Sequence, residues 1–569
     1  MSRRETAGSY VLFALGLLTL ATTVFAVWRH FSPLPFGDSW DGAIGFYIRA
    51  MQHPWHAFLE QHNEHRLAFS RLIFFADVRY FGGRNVLSLI ANLVLAGALA
   101  ATFYRITLHH VPTLSQKARF GLAGAALVFV FSWIQNENFT WGFQSQWFAV
   151  YLFALLAFHS IERTAETEAT HQRTKSLGWL AAALAGSWAA AYSMSSGVLV
   201  FPVLIVQAIY LRLRFRSILT IAVVTATVWF AYFVDWQAPA SSGNLTTGLT
   251  RHPIGAMRYV LLYLGAPASH AGLGLTGAYA CGLFALSVLA AYCVNALRHR
   301  EKHPQATALL AFAVFVAGNA LLTAGGRLWF GVGTALASRY TTASLASWLA
   351  LIIFAALNSD SAVRLKRVIF VGACSTLLIA SYQRMAFKSD HDVAYSRLVA
   401  GLALRAHVYD PEITKVVYPF PDVLTVIAKD AEAARLSVFA RDQPDYLVPP
   451  DHISATVPCI GDTNGISATT APGIYRAGGW IYDPAGGQTA RAIVVTDSAG
   501  TTVGTGVVGG ERDDVRKQYG RRARYSGWTA FFKAPATGDV RVNGQLNADM
   551  YCALKGEIAL PPALGASPK

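Results

Sequence analysis

Long apolar runs are the feature that most constrains the fold of this chain. Several windows reach roughly the 20 residues that an α-helix needs to cross about 30 Å of hydrocarbon, among them Tyr10 to Trp28, Leu87 to Ile106 and Ser217 to Trp236. Of the 569 residues, 54% are hydrophobic and only 14% are charged, a composition that excludes an ordinary soluble globule of this size. The sequence therefore predicts a mainly α, polytopic helical membrane protein.

Lys and Arg residues predict how the chain is oriented. They recur at the N-terminus and in every even-numbered connection between the apolar runs, which makes those segments cytoplasmic by the positive-inside rule. The same loops account for the net charge of +15, so we expect no nucleic-acid partner. The predicted spans are eleven, at 10–28, 87–107, 119–135, 147–160, 177–194, 197–211, 217–236, 271–297, 306–324, 341–357 and 367–383.

An odd number of spans predicts that the C-terminal tail lies outside the cytoplasm. Short cytoplasmic loops and a compact tail favour a bacterial inner membrane, with a cytoplasmic N-terminus and a periplasmic C-terminal module. We expect three domains: a transmembrane catalytic domain at 1–383, a helical linker region outside the membrane at 384–454, and a soluble C-terminal module at 455–569.

The C-terminal module has the pattern of a small β-sandwich, with short apolar strands separated by Gly, Asp and Asn turns. Cys459 and Cys552 lie near its two ends, and in an oxidising compartment we expect them to form a disulfide. A carbohydrate-binding role is one interpretation of the module. Its aromatic residues are candidates for stacking on a sugar or, equally, for the sandwich core: Trp480, Tyr482, Tyr525 and Trp528.

Two carboxylates follow the first span, in the stretch from Pro35 to Asp41. At membrane height and facing water, Asp38 or Asp41 can accept a proton from a hydroxyl, which is a general-base role. The alternative for Asp38 is a helix N-cap, because a helix is predicted over Ser39 to Met51 and Asp is a favoured capping residue.

The same loop contains the run Gln61 to Arg66, with His62, Glu64, His65 and Arg66 as candidate binding residues. Arg66 is a candidate phosphate ligand, and the other three are candidates for contacting substrate or acceptor. A divalent cation, Mg or Mn, is a further possibility with Asp38, Asp41 and Glu64 as ligands, although the spacing matches no zinc signature. The alternative is a solvated helix at the membrane interface.

Amides, an acid and aromatics are concentrated between the third and fourth spans. Glu137, Asn138, Trp141 and Gln144 suit a sugar, whose C–H faces stack on rings while its hydroxyls need polar partners. An aromatic belt at the membrane interface is the alternative for the tryptophan.

Three arginines of outside loops are candidate phosphate ligands. Arg327 and Arg339 flank the loop between the ninth and tenth spans, where a guanidinium can hold a phosphate through two hydrogen bonds. Snorkelling to lipid headgroups is the alternative. Arg258, preceded by Arg251 and His252, begins an apolar stretch too short to span, as in a helix lying beside a lipid substrate.

This layout resembles the GT-C superfamily of polytopic membrane glycosyltransferases. The resemblance covers roughly Tyr10 to Gln383 and is carried by an Asp in the first outside loop, by the length of that loop and by the outside arginines. It implies a polyprenyl-phosphate sugar donor and a glycan, lipid or protein acceptor, in contact with membrane lipids. No named subfamily fits, and the family's two adjacent acids are here separated by two residues, which leaves Asp38 and Asp41 as alternatives.

The resemblance also implies an inverting displacement. Asp38 or Asp41 would deprotonate the acceptor hydroxyl, and Arg327 and Arg339 would stabilise the leaving phosphate. Two other functions are compatible with the pattern: a transporter or flippase of lipid-linked saccharide, and an envelope acyltransferase or ligase. A transporter or flippase would be expected to have polar residues in mid-span and an internal repeat. The sequence has few polar residues in mid-span, and it shows no internal symmetry.

Overall fold

The computed structural model describes residues 3–239, 243, 245–299, 301, 304–388, 390–440, 451, 453, 456–535, 538–556 and 558–560. The chain divides into two compact units. The first unit comprises residues 1–31, 53–74 and 87–388, and the second comprises residues 32–52, 75–86 and 389–569.

Helices dominate the structure. In chain order they are α1 (Arg3–Arg29), α2 (Phe46–Gln52), α3 (Pro54–Leu59), α4 (Ala68–Phe81), α5 (Val86–His110), α6 (Gln116–Phe131), α7 (Asn136–Thr140), α8 (Ser145–Ala169), α9 (Arg173–Ala191), α10 (Val200–Tyr210), α11 (Phe215–Phe233), α12 (Leu245–Arg251), α13 (Pro253–Ala268), α14 (Gly274–Arg298), α15 (Thr307–Arg327), α16 (Thr341–Leu357), α17 (Ala362–Ser381), α18 (His391–Arg405), α19 (Pro411–Thr414), α20 (Pro421–Ala433) and α21 (Asp513–Tyr519).

The strands are short and lie mainly near the C-terminus. They are β1 (Gln61–His62), β2 (His65–Arg66), β3 (Thr456–Pro458), β4 (Ile460–Ala468), β5 (Ile474–Asp483), β6 (Gln488–Thr489), β7 (Ala492–Asp497), β8 (Thr502–Gly510), β9 (Gly527–Lys533), β10 (Asp539–Gln545), β11 (Tyr551–Ala553) and β12 (Ile558–Ala559).

The first unit has the composition of a multi-pass membrane protein. Among the described residues, eight helical segments are long and apolar enough to cross a membrane: Ala7–Arg29, Val86–His110, Gln116–Thr140, Gly142–Ala169, Phe215–Phe233, Pro253–Arg298, Thr307–Phe330 and Ser338–Leu357. The predicted spans 177–194, 197–211 and 367–383 coincide with α9, α10 and α17, which are not among the eight. The number eleven therefore stays a prediction.

Glycines allow two helices of the first unit to pack at backbone contact. A Cβ added to Gly265 of α13 would lie 1.8 Å from the carbonyl oxygen of Ala278, and one added to Gly282 of α14 would lie 1.9 Å from that of Leu261. Only glycine fits at such an approach, which is the device that membrane helices use to gain van der Waals contact. The close packing of α13 against α14 therefore depends on one glycine in each helix, Gly265 and Gly282.

The C-terminal strands of the second unit form one curled sheet. Hydrogen bonds join them in the order β3-β11-β10-β7-β8-β9-β5-β4, with every neighbouring pair antiparallel except β11 and β3. Trp528 of β9 and Tyr482 of β5 are buried. The predicted disulfide is present: Cys459 is bonded to Cys552, across a sequence separation of 93. The packing of two separate sheets as a sandwich stays a prediction.

The second unit also takes in two pieces of the N-terminal half. Trp40, Ile44 and Val78 are buried in one apolar cluster with Val399 of α18 and Leu424 of α20. The sequence assigned residues 32–52 and 75–86 to the transmembrane domain, whereas their apolar side chains are buried with those of the tail. The predicted boundary at 383/384 lies close to the passage from the first to the second unit at 388/389. The predicted boundary at 454/455 lies outside the described residues.

Candidate functional site

The run from Gln61 to Arg66 folds as a tight β-hairpin, not as a helix. Gln61 pairs with Arg66 and His62 with His65, which leaves Asn63 and Glu64 as the two turn residues. Asn63 has φ +49°, a left-handed conformation that Asn tolerates well in two-residue hairpin turns. The hairpin therefore places Glu64 at its tip, with His65 next to it.

Glu64 is the centre of a charged cluster in the first unit. Its Oε1 lies 2.7 Å from Nη2 of Arg327, at the end of α15, and 3.7 Å from Nε2 of His65. Burial raises the pKa of the Glu64 carboxyl, but the nearby His65 and Arg327 charges outweigh burial and hold this pKa below its ordinary 4.5. Glu64 is therefore a carboxylate at neutral pH, and Arg327 is held by it.

The His65 ring is oriented by Ser195. The backbone N–H of Ser195 donates to Nδ1 of His65 at 3.1 Å, and Ser195 Oγ lies 2.8 Å from the same nitrogen. Because Nδ1 accepts an N–H, a neutral His65 carries its proton on Nε2, which faces Glu64.

The other two hairpin candidates, Arg66 and His62, have partners within the protein. The guanidinium of Arg66 donates to the backbone carbonyls of Leu59, Tyr232 and Val234. His62 is buried, and its ring meets that of Phe143 edge-on at 5.3 Å. The phosphate role of Arg66 and the substrate role of His62 stay predictions.

A cavity of about 690 Å³ lies in the first unit, lined by the chain neighbours Gly325 and Leu328 but not by Arg327 itself. One wall is apolar, and Gly248 of α12 packs against the backbone of Gly325 in α15, where an added Cβ would lie 2.6 Å from the Gly325 carbonyl oxygen. The lining residues include Gly248, Gly325, Leu328 and Trp329. Arg251 and His252 also line it, both are exposed, and neither has an ion pair or side-chain hydrogen bond within the described part of the chain. An apolar wall with two unpaired basic groups suits a lipid that carries an anionic head.

Arg251 and His252 were not among the predicted site residues. Their position before the short apolar helix α13 was the only signal in the sequence, and it does not reveal a cavity. Arg258, which was predicted, is exposed on α13 and forms no ion pair with any described residue. It is not one of the residues that line the cavity.

A second carboxylate–arginine pair lies in the first unit. Nη1 of Arg339 is 2.9 Å from Oε1 of Glu137, and the buried Asn138 amide donates to the backbone carbonyl of Arg339 at 2.8 Å. The side-chain carbonyl oxygens of Asn138 and Gln144 are buried and have no hydrogen-bond partner among the described residues. Such oxygens are available to water or to the hydroxyls of a ligand. The half-buried Trp141 ring lies 6.1 Å from Phe143.

Asp38 and Asp41 belong to the second unit, at the start of a π-helix over Trp40–Gly45. π-Helical turns are rare and recur at functional sites. Asp41 is paired with Arg49 at 3.0 Å, whereas the Asp38 carboxylate forms no ion pair or side-chain hydrogen bond with any described residue. Ser39 is the N-cap residue of this helix, and the predicted capping bond of the Asp38 side chain is not formed within the described chain.

Tyr418 is a member of the Asp38 and Asp41 group that sequence reasoning missed. Its burial, together with the negative charges of Asp41 and Asp38, raises the pKa of the Tyr418 hydroxyl to about 12. The phenol is therefore protonated at neutral pH and can donate a hydrogen bond. Nothing in the sequence between Ser39 and Tyr418 links the two positions, so only the fold reveals the group.

Metal ligands are not clustered in the described residues, where no group of three or more His, Cys, Asp or Glu side chains is arranged to hold an ion. Asp38 and Asp41 belong to the second unit and Glu64 to the first, where Glu64 is engaged by Arg327. The divalent cation stays a prediction from the sequence.

Comparisons of this chain with protein-family models, with curated proteins and with solved structures found no match.

Proposed function

We propose that this protein is a membrane glycosyltransferase that moves a sugar from a polyprenyl-phosphate donor to a hydroxyl acceptor. The observation that carries the proposal is the cavity lined by Arg251 and His252. Its apolar wall fits part of a lipid chain, and its two unpaired basic residues, Arg251 and His252, fit a phosphate. A soluble nucleotide-sugar would have little use for the apolar wall.

The proposal also assigns a role to Arg327, which is to stabilise the leaving phosphate. Glu64 holds its guanidinium in place at 2.7 Å, so the charge is oriented before substrate binds. When the bond between the anomeric carbon and the phosphate oxygen breaks, the electron pair stays on the polyprenyl phosphate. A preorganised guanidinium stabilises that developing charge by a few kcal/mol.

The general base in the proposal is Asp38. By the family resemblance, the acceptor hydroxyl would give its proton to this carboxylate, and its oxygen would attack the anomeric carbon from the face opposite the phosphate, with inversion. This assignment rests on the sequence, because Asp38 belongs to the second unit and the cavity to the first. Asp38 is preferred to Asp41 because Asp41 is neutralised by Arg49, whereas Asp38 has no ionic partner among the described residues. A phosphate leaves readily without a general acid, so one base and the arginines suffice.

The acceptor or sugar hydroxyls are assigned to the polar segment after α6. Asn138 and Gln144 each offer a buried, unpartnered carbonyl oxygen, and Trp141 offers a ring face. Glu137, held by Arg339, completes a set of groups that suits a saccharide.

Several finer expectations belong to the same proposal. They are membership of the GT-C superfamily, eleven membrane crossings, a β-sandwich as the form of the C-terminal module, and a bacterial inner membrane with that module in the periplasm. They rest on the sequence pattern, on the eight apolar helical segments and on the disulfide, which is typical of an oxidising compartment.

Acyl transfer is a second candidate, favoured by one specific contact. Ser195 Oγ lies 2.8 Å from Nδ1 of His65, whose other nitrogen faces Glu64, an order of groups that can activate a serine. The backbone N–H of Ser195 occupies the same Nδ1, which is more typical of a histidine that fixes a turn. We therefore rank acyl transfer below sugar transfer.

The test uses the purified full-length protein in detergent or in liposomes with three substrates in parallel. Radiolabelled polyprenyl-phosphate sugar with a glycan acceptor reports sugar transfer, and the same donor in liposomes without acceptor reports flipping. A fluorophosphonate probe reports an activated Ser195, with Ser195→Ala as control. The proposal expects acceptor-dependent release of polyprenyl phosphate. Flipping alone, or labelling of Ser195 without sugar transfer, would replace it.

A further inference from the structure

The segment from Glu511 to Arg524 carries an excess of positive charge on the surface of the second unit. It contains six basic and three acidic side chains. All three acids are used locally: Asp514 pairs with Arg512 at 2.6 Å, Asp513 with Arg516 at 2.7 Å, and Glu511 with Arg524 at 2.6 Å. The three remaining cations form what we call the basic patch: Lys517, Arg521 and Arg522.

No member of the basic patch forms an ion pair within the described part of the chain, and all three are exposed. Lys517 lies in α21, and Gly520, at φ +89°, turns the chain so that Arg521 and Arg522 follow directly. Three unpaired cations so close in sequence repel one another unless an anion is bound among them.

Aromatic rings lie beside the basic patch. Tyr519 separates Lys517 from Arg521, and its ring centroid lies 6.0 Å from that of Trp480 and 6.0 Å from that of Tyr482. Trp480 and Tyr482 alternate with the buried Ile481 along β5, so they share the sheet face that α21 covers. Trp480 and Tyr519 are half-buried, which leaves part of each ring accessible.

The surroundings of the basic patch indicate which class of anion it binds. The same sheet carries the Cys459–Cys552 disulfide, which is typical of an oxidising compartment, where nucleic acid is not the prevalent anion. Among the described residues from 458 to 549, which include the basic patch, no large hydrophobic side chain is exposed; the exposed Val457 and Met550 lie just outside this range. The patch itself therefore has no apolar residue to insert into a bilayer. Cations beside rings in such a compartment suit an acidic sugar polymer.

We propose that the basic patch, with Tyr519 and Trp480, binds an acidic polysaccharide of the cell envelope. Carboxylates of the polymer pair with Lys517, Arg521 and Arg522, and a sugar ring stacks on the accessible part of the aromatic pair. The inference does not depend on the proposed sugar transfer, because it concerns binding to the second unit and needs no turnover.

The experiment measures binding of the full-length protein in detergent to fluorescent polygalacturonate, with uncharged dextran and anionic phosphatidylglycerol vesicles as parallel probes. The test variant combines Lys517→Gln, Arg521→Gln and Arg522→Gln. The matched control combines Lys415→Gln, Lys429→Gln and Lys533→Gln, which removes the same charge from exposed positions of the same unit.

We expect wild-type protein to bind polygalacturonate in preference to dextran and to the vesicles. The test variant weakens this binding about tenfold or more and lowers its salt dependence, while the control variant stays within about twofold. Tyr519→Ala weakens polygalacturonate binding at high salt, where stacking remains and charge is screened. Equal losses in test and control variants, no binding by the wild type, or a preference for the vesicles would each overturn the proposal.

Discussion

Pairing of carboxylates is what distinguishes the candidate residues from one another. Glu64, Glu137 and Asp41 each have an arginine within 3.0 Å. Asp38, three residues before Asp41, has no ionic partner in the part of the chain that the structure describes. A carboxylate held by a guanidinium is a poor proton acceptor, because the positive charge stabilises its ionised form. At the residue scale we therefore propose Asp38 as the base, a choice that the sequence alone left open.

The first prediction compares these two acids. Asp38→Asn should lower sugar transfer by about a hundredfold or more, the usual contribution of a general base. Asp41→Asn should cost about tenfold or less, because Arg49 has already neutralised that charge. Initial rates of polyprenyl-phosphate release by purified variants measure both effects. Equal losses, or full activity of Asp38→Asn, would contradict the assignment.

The second prediction concerns the pH dependence of the Glu64 pair. The pKa of Glu64 is lower in the folded protein than its ordinary 4.5, so the ion pair stabilises the fold above that pH and is lost as the pH falls through the folded pKa. Glu64→Gln should lower the free energy of unfolding at neutral pH by about 1 kcal/mol, since both partners are partly exposed.

Thermal unfolding between about pH 3 and pH 7 measures that difference. It should shrink toward zero as the pH falls below 4.5. Asp360→Asn, which breaks the exposed Arg364–Asp360 pair, serves as a control that should show little change at any pH. If the stability difference between wild type and Glu64→Gln grew larger in acid, the assigned role of the Glu64–Arg327 ion pair would be wrong.

At the scale of single elements, the long apolar helices could be predicted and the hairpin could not. A run of about 20 apolar residues folds as an α-helix in a membrane, because every backbone N–H and C=O group must be hydrogen-bonded within the segment. Gln61 to Arg66 carries no such constraint. Its hairpin depends on Arg66 donating to Val234, 168 residues away, and on the left-handed Asn63.

The third prediction tests the contact between α13 and α14. Gly265→Val should destabilise the protein by about 3 kcal/mol, because the new side chain meets the carbonyl of Ala278 and the helices must separate. The control is Gly178→Ala in α9, where no atom lies within 4 Å of the added Cβ and alanine favours the helix. Melting temperatures in detergent measure both. Unchanged stability of Gly265→Val would show that the helices do not pack in this way.

At the scale of the whole molecule, the composition predicted a multi-pass membrane protein with a β module, and the disulfide could be predicted from the position of its two cysteines. The make-up of the second unit could not be predicted. Residues 32–52 and 75–86 are joined to the tail by contacts such as that of Trp40 with the cluster around Leu424, more than 300 positions away in sequence. A local pattern contains no information about such pairings.

The fourth prediction concerns orientation. The apolar runs predict eleven crossings and the basic loops predict a cytoplasmic N-terminus, so a fusion after Lys569 should lie outside the cytoplasm. Alkaline phosphatase fused there should be active, and green fluorescent protein should be dark. A fusion in the loop near Glu301 should give the reverse result. The opposite pattern after Lys569 would show that one crossing has been gained or lost.

The most direct test of sugar transfer is the rate at which purified protein moves radiolabelled sugar from polyprenyl phosphate to an acceptor. Arg327→Gln removes the cation that Glu64 holds, and Arg364→Gln removes an exposed arginine of α17 as the matched control. We expect transfer by the wild type, an unchanged rate for Arg364→Gln and a loss of about a hundredfold for Arg327→Gln. No transfer by the wild type from any lipid-linked sugar, or an unchanged rate for Arg327→Gln, would contradict the proposed function.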